Sequence, residues 1–267
     1  LSSVAWGTAD FLGGTLSRKR NAIAVVGGSQ IFGLLGMLLA TGLYTKFSAD
    51  PNVIRYGLLA GVFGLIGLVT FYQALSSGAM GIVSPIASMS VVIPVFIGLV
   101  RGERPSQLEL FGMVIAVVGL LLACGPELSG AVSPRPILLA SVAAITFGIC
   151  VFFMAEGGKR NVLMTVTVMR CTQVAILLVL ALVMRTRGGL HRSDLGWLIA
   201  IGVTDAGANV LFASAAGSGL LSITAVLGSL FPVVTVVLAW LIHNERLKII
   251  QYVGVAITLV GIACISA

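Results

Sequence analysis

The chain has 267 residues, of which 58% are hydrophobic and only 9% charged, and its formal net charge is +7. Soluble domains carry roughly 25% charged residues, so this composition excludes one and leaves a membrane protein. The positive charge lies between apolar blocks, where it orients a protein in its membrane; it does not form a nucleic-acid surface.

The first apolar run ends at Leu16 and carries Trp6 and Asp10 without a small-residue cleavage pattern, so it reads as a span and not as a leader. Further blocks follow at Ala22 to Tyr44, Leu58 to Leu75, Ile82 to Val100, Phe111 to Cys124 and Ile137 to Ala155. The last four are Val162 to Met184, Leu195 to Ala216, Leu220 to Ile242 and Ile249 to Ala267. A spanning helix needs about 20 apolar residues, so the spacing predicts an all-α integral membrane protein of ten transmembrane helices with short loops. Thirty-three glycines suit close helix packing in lipid. Cys124, Cys150, Cys171 and Cys264 stand singly inside spans. They read as small buried hydrophobes, so neither a disulfide framework, a metal nor a cofactor is implied.

The second half repeats the first. Lys19-Arg20-Asn21 recurs as Lys159-Arg160-Asn161, Ser77-Gly78 as Ser218-Gly219, and Glu103-Arg104 as Glu245-Arg246. Gly112 and Gly119 recur at the same spacing as Gly254 and Gly261. Five spans per copy is an odd number, so the copies enter the membrane in opposite directions. Such inverted repeats are a signature of secondary transporters. The organisation expected is a first five-helix repeat over 1–125, a connecting loop over 126–135 and a second repeat over 136–267. Most lysines and arginines fall on the side of the Arg18 loop, which taken alone puts the termini outside.

Trp6-Gly7 in the first span, the Ser77-Gly78 step, and Gly102-Glu103-Arg104-Pro105-Ser106 with its partner Asn244-Glu245-Arg246-Leu247-Lys248 resemble the drug/metabolite transporter superfamily. Within it the EamA type is the nearest match, and the resemblance covers the whole chain. It implies ten helices as two inverted five-helix repeats around a central cavity. Helices one, three, four, six, eight and nine would line that cavity, with five and ten packed outside. It also implies a multi-pass protein of the bacterial inner membrane with cytoplasmic termini, against the raw charge count. Members export amino acids and other metabolites, and some import small molecules. The chain departs from the pattern at Ser90: Pro232 lies 13 residues before Glu245, but the proline near the matching position is Pro94. The fourth helix is therefore expected to bend at a different depth from the ninth.

Asp10 lies eight residues before Arg18, about 12 Å into the membrane at 1.5 Å per residue. A carboxylate there costs roughly 2.5–3.5 kcal/mol on insertion scales and normally faces a water-filled cavity or a partner. It fits a site for a cationic group or a coupling proton, or a structural hydrogen bond to a hydroxyl such as Thr8. Asp205 falls near the middle of the eighth span with Asn209 one turn on. The pair fits substrate binding or coupling, or a brace within the helix. The repeat partners of Asp10 and Asp205 are Val151 and Gly64, so neither acid is demanded by the duplicated fold.

Gln73 near Thr70 could orient a polar substrate or cap backbone. Ser84, Ser88, Thr224 and Ser229 fit cavity contacts or interhelical hydrogen bonds. Pro85, Pro94 and Pro232 remove backbone hydrogen bonds and are assigned to gating or cavity shaping. Arg170, whose repeat partner is Gln30, is expected to snorkel or to pair with Glu156. Glu103 and Glu245 are expected to pair with arginines at helix ends. The glycines of helices five and ten make smooth faces for packing or for a dimer, although a monomer is the first expectation. Trp6, Phe11, Tyr72, Phe147, Phe152 and Phe231 could cage a cation, while Trp197 and Trp240 read as interfacial anchors.

A membrane enzyme needs a base or a metal set, and both histidines, His191 and His243, fall in loops away from any acidic cluster. A channel has no need of inverted repeats with internal acids. The expectation is a secondary transporter that moves a small polar metabolite, an amino acid or relative, by export. A small cationic solute carried inward is the alternative. Its partners would be the solute, membrane lipid and a coupling proton.

Overall fold

The computed structural model describes residues 1–45, 47, 50–77, 80–124, 134–184, 189–243 and 249–266. Gly78, Glu245, Arg246, Lys248 and residues 126–133 lie outside them, as does the side chain of Pro85. The described residues are helical in the order α1 (Ser2–Ser17), α2 (Ala22–Tyr44), α3 (Pro51–Ser77), α4 (Met80–Ser88), α5 (Val92–Val100) and α6 (Gln107–Cys124). Then come α7 (Pro134–Gly158), α8 (Val162–Met184), α9 (Leu195–Ser218), α10 (Leu221–Gly228), α11 (Phe231–His243) and α12 (Ile249–Ser266). Among the described residues, six helical segments are long and apolar enough to cross a membrane. Their outward faces are rich in leucine and valine, among them Leu35, Leu39, Leu43, Leu178, Val179 and Leu182, as a hydrocarbon solvent requires.

Local chemistry sets the helix starts. Asn21 accepts hydrogen bonds from the amides of Ile23 (2.9 Å) and Ala24 (3.3 Å), and Asn161 accepts one from Met164 (2.9 Å). The asparagine of each Lys-Arg-Asn motif is therefore a helix N-cap. Its arginine ties the loop down: Arg20 pairs with Asp194 at 2.8 Å, and Arg160 with Asp50 at 3.3 Å. Asp50 also accepts from the Asn52 amide at 2.8 Å. That bond first, and the Arg160 guanidinium after it, hold the Asp50 carboxyl below the ordinary aspartate range. The Asp50 cap and Pro51 at the first helical position start α3 seven residues before the apolar run at Leu58.

The fourth and ninth apolar runs are each broken. A 3-10 turn, Met89–Val91, separates α4 from α5, and Ser229 and Leu230 separate α10 from α11. The helix before the break ends at Ser88, 15 residues before Glu103, in one copy and at Gly228, 17 residues before Glu245, in the other, so the breaks correspond to within two residues. The bends therefore differ in depth by one or two residues, less than the four that separate Pro94 from Ser90, the position matching Pro232. A proline disrupts the whole turn before it, because it lacks the N–H and its ring crowds the carbonyl four residues back. Pro94 and Pro232 can thus stand at different registers and still open the same turn. The crossing helices hold the openings in place: Gly148 of α7 packs on the Ser90 carbonyl and Gly7 of α1 on the Phe231 carbonyl. A methyl group at either glycine would overlap that oxygen.

Glycines also seat α6 on α12, where Gly112 meets Gly261 and Gly119 meets Gly254 and Thr258. These faces are taken up within one chain, which removes them as the dimer surface the sequence allowed. Among the described residues Glu103 pairs with no arginine. Its carboxylate accepts from the amides of Leu221 (2.8 Å) and Ser222 (2.9 Å) and from the Ser222 hydroxyl (2.6 Å). It caps α10, where a negative charge meets unpaired N–H groups and the positive end of the helix dipole.

Candidate functional site

α1, α3, α7, α8 and α9 meet the two helix breaks around a central cavity. Its interior admits the centre of a water molecule over about 80 Å³, enough for several waters or one small solute. Asp10, Asp205 and Asn209 line it, as do Trp6, Phe147, Phe231, Pro94 and Ser229. Residues one repeat apart line it in pairs: Trp6 and Phe147, Asp10 and Val151, Gly64 and Asp205, Leu68 and Asn209. The scaffold is duplicated and the chemistry is not.

Asp205 is held by a buried network. Arg170, only 1% exposed, places Nη2 at 2.8 Å from Asp205 Oδ2. Gln30 Nε2 donates to the same oxygen at 3.5 Å. Arg170 Nη1 donates to Gln30 Oε1, and to Gln173 Oε1 at 3.3 Å. Arg170 therefore neither snorkels nor reaches Glu156, which binds Arg101 (2.7 Å) and Lys159 (2.8 Å) instead. A guanidinium two turns inside a span finds its least costly position beside a carboxylate at the same depth. Asn209 does not brace the Asp205 carboxylate; its amide donates to the Asp205 backbone carbonyl at 2.8 Å. Asp10 has neither a hydrogen-bond nor an ion-pair partner among the described residues. Thr8, the neighbouring hydroxyl, bonds the Val4 carbonyl at 2.8 Å instead.

Several expected residues stand back from the cavity. Tyr72 and Phe11 are buried at 1% and 3% exposure, with the Tyr72 hydroxyl 3.4 Å from the Ala9 carbonyl. Large rings so completely buried serve packing, here of α1 on α3. Ser84 and Ser88 are buried outside the lining, because they lie on the α4 side of the break, whereas Ser90 lies within it. Gln73 and Thr224 are half-buried and do not line the cavity, and neither does Pro232, whose effect is on the backbone of the break. Phe152 carries Arg101 over its ring at 4.8 Å, near the end of α7. Among the lining residues that sequence reasoning passed over are Phe212, Gln173, Cys150 and Met169. Phe212 stands 5.3 Å from Trp6 by ring centroids, and it is one turn beyond Asn209, a spacing that pointed to it.

A bundle of apolar membrane-length helices around a small cavity with internal acids defines a polytopic membrane protein that handles a small solute. The chain belongs to the EamA-like transporter family, whose model matches it twice, over residues 1–125 and 134–267. It is thus a membrane transporter of the drug/metabolite type and not an enzyme. The chain is also 25% identical to an uncharacterised protein of Methanocaldococcus jannaschii over 97 residues, 34% of this chain and 71% of that protein. A solved structure described as a crystal structure of protein superposes with a TM-score of 0.77 at 14% identity, covering 99% of this chain and 98% of the other. That likeness is one of fold.

Proposed function

We propose that the chain is a secondary transporter that exports a small polar metabolite, an amino acid or relative, by alternating access. Its ten spans would form two inverted five-helix repeats, 1–125 and 136–267, in a bacterial inner membrane with the termini in the cytoplasm. The observation that carries the reading is Asp10, an acid that lines the cavity between the two copies and has no partner among the described residues. Such a carboxylate is retained at its insertion cost when it serves a substrate or a proton. The matched helix breaks support the mechanism, since interrupted helices in corresponding positions mark the transport site. They let each half move about the cavity without unwinding a whole span.

A cationic solute is the second reading. It is favoured by four rings, Trp6, Phe147, Phe212 and Phe231, that line the cavity with Asp10 and offer cation–π contacts. Proteoliposomes test both. Loaded with unlabelled alanine or ethanolamine and given a labelled trace of the same solute, they should show saturable counterflow. Unsaturable leak would mean a channel, and the absence of any protein-dependent uptake would defeat the reading.

A further inference from the structure

We propose that Arg170 forms a second pole of the cavity, so that the solute carried is a small zwitterion with its cationic nitrogen at Asp10 and its carboxylate at Arg170. This rests on the transporter reading and narrows its substrate class. Arg170 is 1% exposed and lines the cavity, yet among the described residues its Nε has no acceptor. Its Nη2 lies 2.8 Å from Asp205 Oδ2 but out of line with its N–H bonds, so it too lacks a hydrogen bond. Nη1 is already engaged by Gln30 and Gln173.

The two nitrogens left over form one edge of the guanidinium, whose parallel N–H bonds match the two oxygens of a carboxylate. Asp205 balances the charge of Arg170 without satisfying that edge. A buried polar donor left unsatisfied is a standing penalty, and a carboxylate entering the cavity removes it. An anion alone would meet Asp10 and Asp205 in the same small space. A cation alone would leave the Arg170 edge unmet. A solute with both charges would satisfy Asp10 and Arg170 together, within the one cavity that both residues line.

The test uses the full-length purified protein in detergent and in liposomes, with four probes. L-alanine and glycine betaine carry both charges on a primary and a quaternary nitrogen, ethanolamine lacks the carboxylate, and propionate lacks the nitrogen. In wild type, at least one zwitterion should bind more tightly than ethanolamine and propionate by roughly tenfold or more, the worth of a charge-assisted hydrogen bond. Arg170→Lys, which keeps the charge and loses the fork, should bring the zwitterion-to-ethanolamine ratio toward one. Arg170→Gln with Asp205→Asn should do the same in a neutral network, and stands in if the single variant does not fold. Ethanolamine bound as tightly as both zwitterions, or an unchanged ratio in these variants, would overturn the second pole while saturable counterflow kept the transporter. No saturable uptake of any probe by protein that still melts cooperatively would overturn both.

Discussion

Asp205 has Arg170 at 2.8 Å and Gln30 at 3.5 Å, whereas Asp10, at comparable membrane depth, has no such partner. Asp205→Asn keeps the side-chain shape, and on sequence grounds it should impair transport while leaving stability nearly intact. With Arg170 in place, the same substitution strands a buried guanidinium. Breaking a buried ion pair from one side costs about 3–5 kcal/mol, so Asp205→Asn should lower the melting temperature clearly in detergent. Arg170→Gln added to it should recover much of the loss, because both charges are then gone; a double variant no more stable than the single one would remove the pair from the account. Asp10→Asn has no partner to lose. It should melt at or above wild type, and its counterflow should lose its dependence on pH, since proton and cationic group compete for that carboxylate. Unchanged pH dependence would take Asp10 out of the mechanism. Both acids were legible from their cost at membrane depth. Arg170 was not, because its partner lies 35 residues away on another helix and a single sequence does not carry that contact.

The helices themselves were written in the apolar runs: α2 and α8 begin and end where their runs do. The broken helices were harder to read, because a proline marks the turn it disturbs only to within a few residues. Which peptide opens is decided by the helix crossing it. Gly148→Ala should therefore push α7 off the Ser90 carbonyl and destabilise the fold by about 1–3 kcal/mol, as chemical denaturation in mixed micelles would show. The role of Glu103 was equally hidden, since its acceptors' partners lie on α10, more than a hundred residues on. Glu103→Ala should cost about 2 kcal/mol, the upper range for loss of an N-cap. Glu103→Gln, which keeps one acceptor oxygen, should cost less. Equal stability of the alanine variant and wild type would show that solvent replaces the cap.

The same internal relation recurs at every level of the molecule. Gly202 packs on the Ser29 carbonyl as Gly61 packs on that of Met169, and Gly112 meets Gly261 as Gly254 meets Gly119. Arg20 reaches the start of α9 as Arg160 reaches the start of α3. Gln30 and Arg170, one repeat apart, bond directly to each other. Contacts exchanged in this way are those of an isologous two-fold interface, here between two halves of one chain. If each half has the five spans proposed, the axis would lie in the membrane plane, and the two Lys-Arg-Asn loops would face opposite sides. Lys19 and Lys159 are both exposed, so each can carry a reporter. In a background with the four native cysteines replaced, Lys19→Cys and Lys159→Cys should react with a membrane-impermeant maleimide from opposite faces. Intact cells should label one and inverted vesicles the other; labelling of both from a single face would eliminate the inverted repeat. The same pair decides orientation, on which the family resemblance and the charge count disagree. Cytoplasmic termini put Lys19 outside, while the excess of basic residues on its side puts it inside. We expect Lys19→Cys to label in intact cells. That expectation follows the family resemblance and not the charge count: among the described residues Arg20 alone is ion-paired on its side, against Arg101, Lys159 and Arg160 on the other, so pairing does not thin the basic excess.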